Sequence, residues 1–223
     1  MYFPSLRQRH WGLTVLLCET AKTHRAGARW RLAVVLAAVC AILALSQPPA
    51  AAVGEPTVSV VRLGNGLYRI QAHALVRATR ETIWGTLTAY EDFAQFIPGL
   101  NASHVVSRSG TRSVVHQQWG VSILWFHYPL DITVLSIERS PSVLEVHRIS
   151  GDLKQLDGGY LIEEAPDGRF SIVWDGLIED ATIVPDIFST AIIRNQAQMQ
   201  FRGMLREIER RSAQSAQARA LSP

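Results

Sequence analysis

The chain has 223 residues, of which 48% are hydrophobic and 18% are charged, and its formal net charge is +3. This composition excludes an intrinsically disordered chain, and the presence of only two cysteines excludes a small scaffold held together by disulfides. The isoelectric point near 9.1 is typical of a nucleic-acid-binding protein only when the basic residues lie on the folded domain.

The N-terminal segment carries the excess positive charge. Three arginines within residues 25–31 precede an apolar run over residues 32–45, and small residues follow as far as Ala52. This order is typical of a secretory signal peptide. The lack of charge over residues 32–54 also fits a retained membrane anchor, which needs about 20 apolar residues. Residues 1–52 are therefore predicted to be a prefix plus a signal peptide or an N-terminal anchor. Either alternative predicts an exported domain, periplasmic or anchored to the outer face of the inner membrane.

The charge of the remaining chain differs from that of the whole. Residues 1–52 hold six Lys or Arg and one acidic residue, which leaves 16 basic and 18 acidic residues and a net charge of −2 for the domain. Cys18 and Cys40 also lie in the leader. We therefore expect no nucleic-acid partner, no thiolate nucleophile and no cysteine metal ligand in the domain.

Alternating apolar and polar residues predict a hairpin at the start of the domain. Val58–Leu63 and Leu67–Ile70 flank Gly64–Gly66, a turn whose residues tolerate positive φ angles. Thr79 is then placed to cap a helix that carries Glu81 in its first turn, where a negative charge is favourable.

A second short helix is predicted over Asp92–Ile97, because the Pro98–Gly99 pair ends it. The hydrophobic period then changes to two, and the short links between successive strands predict antiparallel pairing. A long helix is predicted from Pro185 to about Arg211. The candidate strands are Ala102–Ser109, Arg112–Trp119, Ile123–Ile137, Val143–Ile149, Gln155–Glu163 and Phe170–Asp180.

The order of these elements predicts an α+β fold. A curved antiparallel sheet of about seven strands wraps round the long C-terminal helix, and two short helices follow the first strand. The concave face of such a sheet must be buried against the helix. An apolar gap left between the two is a ligand site.

Two strings of residues in this domain carry a family resemblance. They are Ala78–Tyr90 with Phe93, Phe96 and Ile97–Leu100, and Gly151–Lys154 with Gly158–Tyr160. Both resemble motifs of the START-like (helix-grip, SRPBCC) superfamily, and in particular of its coenzyme Q-binding and polyketide cyclase/dehydrase branch. The sequence departs from the usual motif at Ala89, Leu153 and Tyr160. The resemblance extends roughly from Tyr68 to Arg210.

The resemblance implies a helix-grip domain over residues 67–211, preceded by a linker and extra strand over 53–66 and followed by a flexible tail over 212–223. It implies a hydrophobic small molecule or lipid as partner, with quinone as one candidate. The membrane surface or the N-terminal anchor is the second expected partner. Trp125 and Phe126 are adjacent on a strand, so one of the two rings faces away from the core and is a candidate membrane contact.

Candidate cavity-lining residues come from the aromatic set, one histidine and the long helix. At 100° per residue, Phe188, Ile192 and Met199 share a stripe with Asn195, whose amide suits the orientation of a polar head group. We expect no cofactor, because no nucleotide-binding fingerprint is found, and no metal, because the histidines lack ligand spacing. The predicted lining residues are Trp84, Phe93, Phe96, Trp119, His147, Trp174, Phe188, Ile192, Asn195 and Met199.

Three functions are compatible with this domain. The leading hypothesis is non-catalytic binding or transport of a quinone, isoprenoid or other lipid outside the cytoplasm, with no catalytic residue assigned. The first alternative is a polyketide cyclase/aromatase-like enzyme, which requires His116, His147, Arg148 or Asp175 to point together into the cavity. The second is an envelope interaction module without ligand, which predicts no cavity above about 300 Å³.

Overall fold

The computed structural model describes residues 55–123, 126–180 and 190–221. The predicted signal peptide or anchor over residues 1–52 lies outside the described residues, as do Trp125 and Phe188. In the part of the chain that the structure describes, no helix has the length and apolar character needed to cross a membrane.

A single antiparallel sheet forms the framework of the described fold, in the order β1-β2-β8-β7-β6-β5-β4-β3. The strands are β1 Thr57–Gly64, β2 Leu67–Val76, β3 Leu100–Ser109, β4 Arg112–Ile123, β5 Phe126–Ser140, β6 Val143–Gly151, β7 Leu153–Glu164 and β8 Phe170–Asp180. The helices are α1 Arg80–Leu87, a 3₁₀ turn Tyr90–Asp92, α2 Phe93–Phe96 and α3 Thr190–Leu221.

This arrangement confirms the predicted α+β helix-grip fold, with a curved sheet, short helices early in the chain and one long C-terminal helix. The eight described strands correspond to the about seven predicted plus the extra strand, β1. The β1–β2 turn adopts positive φ at Gly64, Asn65 and Gly66 (118°, 49° and 78°). The Thr82 amide donates a hydrogen bond of 3.2 Å to Thr79 Oγ1, which is the predicted helix cap.

Several element boundaries differ from the prediction, and the largest differences lie in two places. A single strand was predicted over Ile123–Ile137, but β4 extends to Ile123 and β5 begins at Phe126, because the β4–β5 pairing continues to Ile123↔Phe126. Helix α3 continues to Leu221 rather than ending near Arg211. Its last turns are rich in Ala, Gln and Arg, which favour helix. Fraying of this end in solution stays a prediction.

Helix α3 packs closely only along part of its length. Phe201, Met204, Leu205 and Ile208 are buried in the core, whereas no residue between Thr190 and Gln200 is fully buried. Gly203 explains the close approach: a Cβ added there would lie 2.4 Å from the Phe96 carbonyl oxygen and 2.5 Å from Pro98 Cδ. The absence of a side chain thus lets α3 contact the end of α2.

A charged cluster fastens the same half of α3 to the short helices. The carboxylate of Glu207 accepts hydrogen bonds from Arg210 (2.6 and 2.7 Å) and from Arg211 (2.7 Å). Arg211 also donates to Asp92 Oδ2 (3.3 Å) and to the Gly85 carbonyl oxygen (3.4 Å). The bonds from the two arginines lower the pKa of Glu207 to about 2. The cluster therefore holds α3 against helix α1 and the 3₁₀ turn.

We predict opposite effects for alanine at two helical glycines. Gly203→Ala should destabilise the protein by about 1–3 kcal/mol, because the added methyl group meets backbone atoms that cannot move aside. Gly85→Ala is the matched control within α1, since a Cβ there meets nothing within 4 Å. It should stabilise by roughly 0.5–1 kcal/mol through helix propensity. Urea unfolding measures both, and equal effects would contradict the packing explanation.

We predict that Glu207→Gln lowers the free energy of unfolding at neutral pH by about 1–2 kcal/mol, a value reduced for the partial exposure of the two arginines. Because the pKa of Glu207 is lowered on folding, its contribution is present above about pH 4.5 and is lost as the pH falls through about 2. The difference in the free energy of unfolding between Glu207→Gln and wild type should therefore become smaller as the pH falls from 4.5 towards 2.

Glu209→Gln is the matched control for this measurement. Burial raises the pKa of Glu209, so removal of its charge should leave the stability at neutral pH equal or higher. Unfolding curves between pH 2 and 7 compare the two variants. A Glu207→Gln protein as stable as wild type at neutral pH would show that the cluster contributes nothing.

Candidate functional site

A cavity of about 310 Å³ lies between the inner face of the sheet and helix α3. Alternate residues of a strand point to the same face, and β5 shows this directly. Its contributions to the wall are Leu130, Ile132, Val134 and Ser136. The neighbouring strand β4 adds Gln117 and Trp119, again two residues apart. Apolar side chains at every second position of the strands thus form an almost continuous apolar wall.

The opposite wall comes from the helices. Helix α3 contributes Ala197, Gln200, Phe201 and Met204, which recur at helical spacing on one stripe. The remaining side is formed by residues from the end of α1, the 3₁₀ turn, α2 and the following loop, namely Leu87, Tyr90, Phe93 and Ile97. The contact at Gly203 and the Glu207 cluster therefore fix two walls of the cavity relative to each other.

An aromatic pair occupies the inner face of β7 and β8. The rings of Tyr160 and Trp174 lie 4.8 Å apart between centroids at an angle of 55°. Gly158 and Gly176 are paired across the same two strands. A Cβ added at these glycines would lie 3.0 and 2.8 Å from Trp174 Cζ2, so the indole rests directly on the backbone that they leave bare. The two glycines therefore provide the space that the indole fills.

The two tyrosines of the wall differ in their hydrogen bonds. The hydroxyl of Tyr90 donates to Glu138 Oε1 at 3.3 Å, and burial raises its pKa well above the usual range. Burial also raises the pKa of Tyr160, to about 12. Within the described residues the Tyr160 hydroxyl makes no hydrogen bond. Tyr160 therefore remains a protonated donor with free capacity.

Three of the predicted lining residues do line the cavity: Phe93, Trp119 and Trp174. Trp84 and Phe96 are half-buried and pack against the core instead, without reaching the cavity. The part that any of them plays in ligand binding stays a prediction.

His147 lies on the opposite face of β6 from the cavity. Its neighbour Val146 lines the wall, so His147 must point away. Its Nδ1 lies 3.0 Å from Asp157 Oδ1 and its Nε2 lies 3.6 Å from Glu145 Oε2. The prediction that His147 lines the cavity is corrected by this strand phase.

The residues predicted from the long helix lie on the wrong stripe. Asn195 and Met199 are exposed, Ile192 is half-buried, and none of the three lines the cavity. The predicted stripe was centred on apolar residues at the start of the helix. The phase is set by the buried second half of the helix. At 100° per residue, the centre of the stripe that lines the cavity lies about 150° round the helix from the predicted stripe, close to its opposite side.

The four residues on which the cyclase alternative depends do not meet in the cavity. His116 Nε2 lies 3.4 Å from Asp131, and Arg148 donates to the Gly151 carbonyl oxygen at 3.0 Å. Asp175 binds Arg69 at 2.9 Å, which lowers the pKa of that carboxyl group. None of these side chains is in the wall. Among the described residues, no group of His, Cys, Asp or Glu has metal-binding geometry.

Sequence reasoning missed the polar residues of the wall. Gln117 lies between Val115 and Trp119 in a period-two pattern, which was sufficient to place it on the inner face. Tyr160 belongs to the aromatic set and departs from a motif, but it was not predicted to line the cavity. Gln200 follows from the helix phase, which the sequence did not settle.

Comparison with known proteins agrees with this geometry. Residues 76–211 match the family model described as polyketide cyclase/dehydrase and lipid transport. A search of curated proteins finds no match. Among solved structures, the chain is similar to a protein of Thermus thermophilus, with a TM-score of 0.56 at 13% identity over 66% of this chain and 98% of the other.

Two further structures share the fold. The Zhui aromatase/cyclase of Streptomyces sp. R1128 has a TM-score of 0.53 at 14% identity, over 65% of this chain and 95% of that one. A STAR-related lipid transfer protein of Xanthomonas axonopodis has a TM-score of 0.55 at 10% identity, over 68% and 98%. Because the family model spans more than half of the chain and the helix-grip architecture agrees, the chain belongs to the polyketide cyclase/dehydrase and lipid transport family of the START-like superfamily.

Proposed function

We propose that this protein binds a single apolar small molecule, a quinone, isoprenoid or other lipid, in the cavity under helix α3. The observation that carries the proposal is the wall itself. Apolar side chains from six strands and from the helices converge on a space of about 310 Å³ that the protein does not fill. This volume is at the lower end of ordinary small-molecule pockets, roughly 300–1,000 Å³.

The energetics of the wall favour an apolar occupant. Removing apolar surface from water contributes about 25 cal/mol per Å². The few polar groups in the wall, such as Gln117, Ser136 and Gln200, are too sparse to solvate a highly polar ligand but suffice to orient one oxygen. The affinity thus comes from the burial of apolar surface. The polar groups set the orientation of the ligand.

Binding is favoured over the cyclase alternative. The family includes both activities in its description, and likeness to the Zhui aromatase/cyclase extends only to the fold. General acid–base chemistry needs a titratable group within hydrogen-bond reach of the reacting atom. The candidate groups His116, His147, Arg148 and Asp175 lie outside the wall. The interaction-module alternative predicts a filled core, which the cavity disfavours.

We further propose that the domain acts outside the cytoplasm, exported or anchored to the outer face of the inner membrane. The support is the basic and apolar pattern of residues 1–52. Coenzyme Q is one candidate ligand, by resemblance to that branch of the superfamily. A role in carrying or sensing lipids of the envelope fits both parts of the proposal.

Native purification from membranes tests the proposal. Solvent extraction and mass spectrometry of the purified full-length chain should release an apolar molecule in near-stoichiometric amount. Absence of any such molecule, together with no binding of added quinone or farnesol, would contradict the proposed function.

A larger side chain that fills the cavity should strongly reduce the amount of molecule that co-purifies. We predict that Ala197→Phe, which puts a ring into the cavity from α3, reduces the bound molecule at least tenfold relative to wild type. Ala213→Phe is the control, because Ala213 is exposed further along the same helix. Circular dichroism checks that both variants fold. Equal ligand content in the two variants would show that the molecule binds elsewhere.

A further inference from the structure

The part of the cavity wall that the structure describes carries no formal charge. Among the described residues that line it there is no Asp, Glu, Lys, Arg or His. Charged groups on the neighbouring strands are engaged elsewhere: Asp175 binds Arg69 and Arg148 binds the Gly151 carbonyl oxygen. Burying an ionised group without a partner is strongly unfavourable. A ligand with a carboxylate or ammonium group inside this space would therefore be opposed.

The wall nevertheless offers hydrogen-bond donors, and among them Tyr160 is held by an aromatic partner. Of its two phenols, Tyr90 is already bonded to Glu138, whereas the Tyr160 hydroxyl makes no hydrogen bond within the described residues. Burial raises the pKa of Tyr160 to about 12, so the hydroxyl keeps its proton at neutral pH. Among the described residues the Tyr160 hydroxyl is not one of the buried polar atoms that lack a partner, so it stays accessible from the cavity. A ligand oxygen there can accept its hydrogen bond.

The position of this donor is fixed before any ligand arrives. Tyr160 packs at 4.8 Å on Trp174, and Trp174 lies on the bare backbone of Gly158 and Gly176. The indole cannot shift towards the sheet, because the backbone is already in contact, and it supports the phenol in turn. A donor held in this way loses little conformational entropy when it binds.

From these observations, and resting on the proposed function, we infer that the ligand is an uncharged molecule with a carbonyl, hydroxyl or ether oxygen, which accepts a hydrogen bond from Tyr160. The cavity thereby discriminates between lipids of similar shape. Neutral quinones, isoprenoid alcohols and ketones fit this chemistry, whereas free fatty acids and other ionised lipids do not.

Three probes with one carbon skeleton test the inference: farnesol, farnesoic acid and farnesene, titrated calorimetrically into the full-length chain at neutral pH. Wild type should bind farnesol at least tenfold more tightly than farnesoate, since only the latter buries a charge. Tyr160→Phe removes one oxygen atom. It should weaken farnesol binding roughly three- to tenfold and leave farnesene binding unchanged.

The outcomes separate this inference from the proposed function. Farnesoate binding as tight as farnesol, or a Tyr160→Phe protein that binds farnesol like wild type, overturns the inference while farnesene binding still supports an apolar site. Loss of farnesene binding in Tyr160→Phe would also overturn it, because the tyrosine would then act through packing. Binding of none of the three probes to wild type overturns the proposed function and the inference with it.

Discussion

The contact between helix α3 and the end of α2 at Gly203 positions the helix over the cavity. With no side chain at this position, the helix comes within van der Waals distance of the Phe96 carbonyl oxygen and of Pro98. From Phe201 to Ile208 the helix is largely buried, whereas the turns before Phe201 are half-buried or exposed. A helix that is fastened closely at one half leaves room under the other. Ala197 and Gln200 face that room.

The resulting cavity has an energetic consequence. In measured protein cores, empty apolar volume costs about 24 cal/mol per Å³. The space of about 310 Å³ under helix α3 is partly open to solvent, so water can enter it and its cost is smaller than that scale gives. A ligand that binds only the folded state returns stability in proportion to the logarithm of its concentration over Kd. On the proposed function, ligand binding would therefore stabilise the folded state.

The fold was predictable because its signals are local. Turn residues such as Asn65 and Gly66, the cap at Thr79 and the period-two strands each act over a few residues, and the strand phase was sufficient to place Trp119 and Trp174 on the inner face. The same phase rule excludes His147 once Val146 is placed inside. The prediction for His147 was wrong because it followed the residue type and not the position of the residue in the strand.

The helix stripe was not predictable in the same way. Helix α3 carries apolar residues on more than one side, so amphipathicity alone does not define its inner face. The face is chosen by tertiary contacts, namely Gly203 on the end of α2 and the bond from Arg211 to Asp92. Those contacts join residues more than a hundred positions apart in sequence. Asn195 and Met199 were therefore assigned to the site, while Gln200 was missed.

The distribution of charge links the stability of the fold to the character of the cavity wall. Several ionised groups pair with one another outside the wall, as in Arg69–Asp175 on the sheet and Glu207–Arg211 on the helix. The described lining of the cavity contains no ionisable acid or base of the Asp, Glu, Lys, Arg or His type. The described part of the wall supplies no counter-charge, which supports the proposal of an uncharged ligand. On the proposal made above, a hydrogen bond from Tyr160 would distinguish an oxygen-bearing lipid from a hydrocarbon of the same shape, because the hydrocarbon offers that hydroxyl no acceptor.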